Sequence, residues 1–331
     1  MRFLNKVSYK NTLLIIFLIF LTFFFILLGL IFDVVKKTPS QVYSAVFHYN
    51  SSNPYQYEIR HRLLILTAMI LCIVALSVGG LLMQTISRNA LASPGVMGMM
   101  GAIKLGATIL LLTGISIPLL GKQALLMIFG SIPILFLFMI LKFSKIRISG
   151  ISIIFIGVAL GVVFSSIEWF VMYNNEEGAL FVRTFVDSNF TLVSKTNLFI
   201  LSWFVTIPIL LSLLFSRQFT ILSVGDSLST ATGNNANRVR MFGFALVIIM
   251  APVTIIIGGN LLFAGIIAPN IAKLLIKNKK FLQLLITTIL ISIIIICLTS
   301  IMSAYITINV GSLLNVIAAP IFIILARRHH E

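Results

Sequence analysis

Along this chain the polar positions come in short clusters and the apolar ones in long unbroken runs. Leu13–Phe32, Leu63–Met83 and Phe281–Ile301 contain no charged residue at all. Neither the alternation of a half-buried strand nor the one-sided stripe of a surface helix is visible in them. Runs of about 20 apolar residues match the hydrocarbon core of a bilayer when wound as a helix. They are too long and too continuous for the alternating strands of a membrane barrel. Ten segments qualify as crossings, roughly 12–32, 63–83, 94–113, 123–141, 148–172, 197–215, 241–258, 261–276, 281–301 and 309–326. The expectation is an all-α polytopic membrane protein of about ten transmembrane helices.

Composition agrees. Of 331 residues 59% are hydrophobic and only 10% charged, with mean hydropathy +1.12. A water-facing surface for a chain of this length needs far more charge. The net charge of +16 sits in short connections between apolar runs. There it orients the chain across the membrane, so it is not read as a nucleic-acid surface. With the N-terminus inside and ten crossings, 16 of the 24 Lys and Arg residues fall on the cytoplasmic side. That asymmetry follows the positive-inside rule and puts both termini in the cytoplasm. The first run is longer than a signal-peptide core and no small-residue cleavage site follows it, so it is taken as a retained span. Cys72 and Cys297 lie inside apolar runs, without metal-ligand spacing, and read as packing residues.

Two connections are long. One, from about Asp33 to Arg62, faces outward and carries Tyr43, Tyr49, Tyr55 and Tyr57. The other, residues 216–240, faces inward and is rich in Gly, Ser, Thr and Asn. Long connections in a compact unit usually have a function. No linker to a second domain is apparent, so residues 1–331 are taken as one membrane domain.

Catalytic chemistry is missing from the sequence. The four histidines, His48, His61, His329 and His330, form no metal-ligand pattern. No Gly-rich loop ends in Lys-Ser/Thr, so the chain is expected to bind no nucleotide or other cofactor. An intramembrane enzyme lacks its paired groups. A carrier driven by an ion gradient wants acidic residues in mid-membrane, and only Glu168 is available. Glu168 and Lys104 are the ionisable residues deepest in the apolar runs. Counting along each run puts Lys104 mid-span and Glu168 nearer the outer face, mismatched in depth, so Glu168 reads as interfacial and Lys104 as snorkelling.

Informative stretches remain. Gln84-Thr-Ile-Ser-Arg-Asn89-Ala-Leu-Ala-Ser-Pro94 breaks the chain between two spans, and Gly98, Ala102 and Gly106 follow at four-residue steps. Small residues so spaced allow another helix to approach. Phe263-Ala-Gly265-Ile-Ile-Ala-Pro269-Asn270-Ile-Ala-Lys273 places Gly265 and Pro269 where they would interrupt a short span, and Pro320 falls within the last. Interrupted helices occur on substrate paths and as plain kinks.

Taken in order, these stretches resemble the permeases of the iron-siderophore and vitamin B12 ABC importers, from about Arg60 to the C-terminus. Ala90, Asn270, Lys273 and Ala318 stand where the family usually has Pro, His, Arg and Gly. The resemblance implies a passive half-channel across the cytoplasmic membrane. Its partners would be a second permease, identical or homologous, an ABC ATPase dimer that uses the ATP, and an extracytoplasmic siderophore-binding protein. It also implies that Gly225, Asp226, Gly233 and Arg238 belong to a segment docking on the ATPase, against the alternative of a solvated turn. Asp226 or Ser227 would cap a short helix there and Gly233 would end it. Arg60 and Arg62 resemble the arginines that meet glutamates of the binding protein; anchoring a helix end at the interface is the alternative. Ferric siderophore is the expected cargo, with haem or cobalamin as alternatives.

Overall fold

A computed structural model describes residues 2–32, 38–48, 50, 53–114, 117–143, 150–173, 190, 193–225, 229, 232–259, 261, 263–276, 280–306 and 308–328. Every regular element among them is helical. In chain order these are α1 (Arg2–Ile31), α2 (Pro39–Phe47), α3 (Pro54–Ser87), α4 (Met99–Leu112), α5 (Leu119–Phe143), α6 (Gly150–Met172), α7 (Lys195–Leu214), α8 (Ser216–Val224), α9 (Ala236–Gly258), α10 (Ala264–Leu275), α11 (Phe281–Ile306) and α12 (Val310–Arg328). A short 3-10 turn, Gly95–Met97, precedes α4.

Seven helices are long and apolar enough to cross a membrane, and Met99–Leu112, Ala264–Leu275 and Val310–Ile321 are shorter apolar helices. At about 1.5 Å per residue α4 and α10 rise about 21 and 18 Å, less than the roughly 30 Å hydrocarbon core, while α12 runs on to Arg328. To complete a crossing such a short helix would need irregular backbone at membrane depth, which is tolerated where protein covers it.

Capping explains several boundaries. Thr38 and Gln41 form a reciprocal capping box at α2, and Asn53 followed by Pro54 starts α3. Ser194 and Asn235 accept from the third backbone N–H beyond them and start α7 and α9. α3 ends at Arg88, in the left-handed region at φ 52°.

α3 is the spine. Its apolar window is 72% buried, and α7, α9, α10 and α11 pack around it. α1, α6 and α7 bury only 22%, 11% and 22% of theirs. They form the rim, where exposed Phe17, Phe20, Phe155, Phe170 and Phe199 suit contact with lipid. α1 is fastened to α11 by Asn11 Nδ2, which donates to Gln283 Oε1 at 3.2 Å. α4 lies between α5 and α6.

Pro269 and Pro320 do not break their helices, contrary to expectation: α10 and α12 run through them. The break falls earlier, between the end of α9 and Phe263. A proline in a helix leaves the carbonyl four residues back without its usual donor. For Pro269 that carbonyl is Gly265 O, which finds another donor.

Candidate translocation and coupling site

Ser77, Gly80 and Gln84 recur at three- and four-residue steps and share one face of α3. Against that face lies the start of α10. The helices touch through backbone: a Cβ on Gly80 would lie 1.7 Å from Gly265 O, and one on Gly265 would lie 2.9 Å from Leu76 O. Polar groups close the seam. Gln84 Nε2 donates to Gly265 O at 3.5 Å, supplying the proton that Pro269 cannot. Gln84 Oε1 accepts from Lys273 Nζ, and Ser77 Oγ donates to Ala264 O at 3.1 Å. Gln84 is 2% exposed, so an unmade bond there would be expensive.

The connection from α3 to α4 fits the same notch. Asn89 Oδ1 accepts from Leu91 N at 2.9 Å, turning the chain. Asn270 Nδ2 donates to Ala90 O at 2.9 Å and to Ile266 O at 2.8 Å. Pro94 then packs on the two glycines: its Cγ is 3.0 Å from a Cβ built on Gly79, and its Cδ 3.3 Å from one on Gly265. Gln84, Asn89, Pro94, Gly265 and Pro269 are thus brought together. Gly98 and Gly106 serve two other seams, toward α6 and α5. Gly98 has φ 77°, and a Cβ there would meet Gly161 N at 2.5 Å, so both backbone and space demand glycine. Gly106 packs on Phe129 of α5. Pro320 is exposed on α12 and joins none of these seams.

At the end of the bundle where α3 stops and α9 and α11 begin, α8 docks as a two-turn helix. Its Phe219 and Leu222 are fully buried. Phe219 contacts the rings of Phe242 and Phe281, with centroids 6.4 and 4.9 Å away. A Cβ on Gly243 of α9 would meet Ile86 of α3 at 2.6 Å and Phe219 at 3.1 Å. Thr220 Oγ1 accepts from Phe281 N at 3.0 Å, capping α11. α8 thereby holds the ends of three helices.

Gly225 ends α8; Asp226 lies outside the described residues. Ser229 is fully buried, and its Oγ donates to Asn234 O at 3.1 Å. Asn234 N donates back to Ser229 O at 2.9 Å across Gly233, which has φ 73° and open space around it. A left-handed glycine spanned by a 6→1 backbone bond of this kind closes helix ends. Asn235 and Arg238 follow at the start of α9, with the Arg238 side chain exposed.

Arg60 and Arg62 lie near the opposite end of α3 and part company. Arg60 is exposed, and its Nε donates to Ala45 O of α2 at 3.2 Å. Arg62 is only 8% exposed; its Nε donates to Gly29 O of α1 at 3.3 Å and its Nη2 to Ser300 Oγ of α11 at 2.7 Å. A docking role for Arg62 is therefore corrected: the guanidinium is turned inward and joins three helices. Sequence reasoning also missed Gly80, Ser77 and Phe219. The Gly79-Gly80 pair inside a long apolar run was the available signal for the first.

Closely packed helices, seven of them long and apolar enough to cross a membrane, define the class of polytopic membrane proteins. The FecCD transport family matches residues 19–328, and the chain belongs to it. The petrobactin import system permease YclN of Bacillus subtilis is 29% identical over 80% of this chain and 83% of its own length. Its counterpart FatD of Bacillus anthracis is 28% identical over 62% of this chain. The chain spans only 61% of FatD. IsdF of Staphylococcus aureus, described as a probable heme-iron transport system permease, is 30% identical over 62% of this chain and 60% of its own length. Among solved structures, one described as an inward-facing metal-chelate type ABC transporter has a TM-score of 0.79 at 20% identity, covering 95% of this chain and 99% of its own. PsaBC of Streptococcus pneumoniae, solved with a Fab, has a TM-score of 0.58 at 18% identity, over 80% of this chain and 90% of its own. At these identities the structures speak for the fold alone.

Proposed function

We propose that this chain is the permease subunit of an ABC importer that carries a ferric siderophore across the cytoplasmic membrane. The observation that carries the proposal is the FecCD match over residues 19–328, with a petrobactin permease similar over four fifths of both chains. In this reading residues 1–331 form one membrane domain that crosses the bilayer ten times, the three short apolar helices included, with both termini in the cytoplasm. A second permease, identical or homologous, completes the channel. The chain binds no cofactor, and a separate ATPase dimer uses the ATP.

The mechanism is mechanical. ATP-driven closure of the ATPases moves α8 and the loop through Gly225, Asp226, Gly233 and Arg238. Because Phe219 and Thr220 grip α3, α9 and α11, that motion reaches the bundle as a rigid-body tilt. The α3–α10 seam around Gln84 and Gly265 keeps those helices together during the tilt. On the outer face Arg60, exposed beside α2, meets a carboxylate of the binding protein. Heme iron is a second reading of the cargo, favoured by the similarity to IsdF.

Uptake of radio-iron, offered as a panel of siderophores and as heme to a strain lacking this chain, tests the proposal. Loss of uptake for one chelate class, restored by the intact chain, is expected. Undiminished uptake of every chelate in the deletion strain would refute it.

A further inference from the structure

Helix register revises the depths of Lys104 and Glu168. α6 touches the turn before α4 at two places and α4 itself at Gly101. A Cβ on Gly157 would lie 3.0 Å from Met97 Cα, one on Gly161 2.7 Å from Gly98 Cα, and one on Gly101 2.7 Å from Ser165 Oγ. The contacts advance in the same direction along both segments, so the two run parallel. Three residues beyond the last contact, on each side, stand Lys104 and Glu168. Each step of three rises about 4.5 Å, which puts both residues at one level.

They also face one another. Positions 101, 104 and 108 share one side of α4, and 157, 161, 164 and 168 share one side of α6. The opposite side of α4 is taken by α5, where Gly106 meets Phe129 and Gly130 meets Ile103. Both ionisable side chains are half-buried. One turn above Lys104, on the same side, the hydroxyl of Thr108 is fully buried and has no hydrogen-bond partner. Among the described residues neither Lys104 nor Glu168 makes an ion pair or hydrogen bond in this conformation. Two opposite charges inside an apolar bundle, on facing sides and at one depth, are each other's cheapest partners. Packed helix axes lie about 8–10 Å apart, a gap that extended lysine and glutamate side chains bridge by rotamer change alone.

We propose that Lys104 and Glu168 form an ion pair across the α4–α6 seam, with the Thr108 hydroxyl donating to the same carboxylate, and that this pair closes and opens as the seam moves. The pairing stands on helix register; only its opening and closing during transport rests on the function proposed above. In the closed state the three groups satisfy one another and seal the seam. In the open state the close contacts around Gly98, Gly101, Gly157 and Gly161 hold the seam.

Two measurements decide it. The first compares K104E, E168K and the exchanged double variant K104E/E168K for chelate uptake and for recovery of monodisperse protein. Each single reversal puts like charges face to face and should lower uptake about tenfold or more, and the exchange should restore most of it. Singles that behave as wild type, or an exchange as poor as its singles, overturn the proposal. The second needs no transport. In membranes, with Cys72 and Cys297 replaced by alanine, the K104C/E168C variant is treated with a short bis-maleimide, and K104C/F170C serves as control because Phe170 is 78% exposed on the rim. Cross-linking in the first and little in the second is expected. Absent or equal cross-linking sinks the pair, whereas cross-linking in a chain that carries no chelate sinks the transport reading alone.

Discussion

Replacing Gly80 by alanine puts a carbon 1.7 Å from the carbonyl oxygen of Gly265, 2.5 Å from its carbon and 2.8 Å from its Cα. All three are backbone atoms, so no side chain can swing away. A tolerable carbon–oxygen contact is about 3.3 Å, and α3 and α10 must therefore separate by about 1.6 Å at that point. Forced overpacking of this kind costs about 1–3 kcal/mol. Separation also stretches the bonds from Gln84 to Gly265 O and from Ser77 to Ala264 O. Such interhelical bonds contribute about 0.6 kcal/mol each in a bilayer. The sum is about 2–4 kcal/mol. At roughly 2 °C per kcal/mol for a chain of this size, the unfolding midpoint falls by about 4–8 °C.

The assay is built into the protein. Cys72 and Cys297 are free and buried, so a dye that fluoresces on reacting with thiols reports unfolding in detergent. Gly79→Ala is the control. Its added carbon meets Pro94 Cγ at 3.0 Å, Met250 Cε at 3.6 Å and Pro94 Cδ at 3.9 Å, side-chain atoms at longer distances than the backbone clash at Gly80. It should cost less than half as much. A Gly80→Ala midpoint within about 1 °C of wild type would show that the close contact between α3 and α10 is not a feature of the folded protein.

Three further outcomes are expected. Phe219→Ala removes a fully buried ring worth about 3–5 kcal/mol from beneath α8; trypsin should then cut at Arg217 or Arg238 while the bundle stays intact, and an unchanged digestion pattern would contradict the docking of α8. Gly233→Pro demands φ near −65° where the chain has 73°; uptake should be lost with membrane insertion retained, and full uptake would remove the coupling role. Arg62→Met breaks bonds to α1 and α11 and should lower the unfolding midpoint, each charged bond being worth about 1.5–3 kcal/mol, whereas Arg60→Ala should leave the midpoint unchanged; a stable Arg62→Met protein that no longer recruits its binding protein would restore Arg62 to the docking surface.

The helical class and the position of each apolar helix were legible because bilayer thickness writes itself into run length. Helix starts were missed where the cap lay outside the apolar run: Asn53-Pro54 and Asn235 start α3 and α9 ahead of the expected 63 and 241. Proline was the misleading letter. Pro94 does sit in a break, but Pro269 and Pro320 sit inside helices. Sequence shows that a donor is missing and cannot show whether Gln84, 185 positions before Pro269, will supply one to the freed carbonyl. Arg62 misled for a related reason. Two arginines in Arg60-His61-Arg62 look equivalent on paper, yet a two-residue step turns about 200° around a helix. One ends outside against Ala45 and the other inside against Gly29 and Ser300. Depth within an apolar run is likewise a poor guide to level, because α4 begins only after an irregular turn inside its run, which hid the shared height of Lys104 and Glu168.

What unites these features is that α3 carries an attachment at each level of its length. Near its start Arg62 binds α1 and α11; at mid-length Cys72 lies against α9 near Gly258; lower down Ser77, Gly80 and Gln84 engage α10; at its end Ile86 lies against Gly243 and beside Phe219. A helix bound so often cannot bend freely, and its apolar window is the most buried of the seven long spans. In the proposed importer, force applied at α8 would therefore be carried by α3 to the far end of the bundle. The α4–α6 seam differs. Its contacts are glycine against glycine at one end and unpaired Lys104, Thr108 and Glu168 at the other, with α6 the least buried of the long spans. A stiff spine beside a loosely held flank divides the bundle into a part that transmits motion and a part that yields to it, and α4, lying between α5 and α6, is where yielding would have to begin.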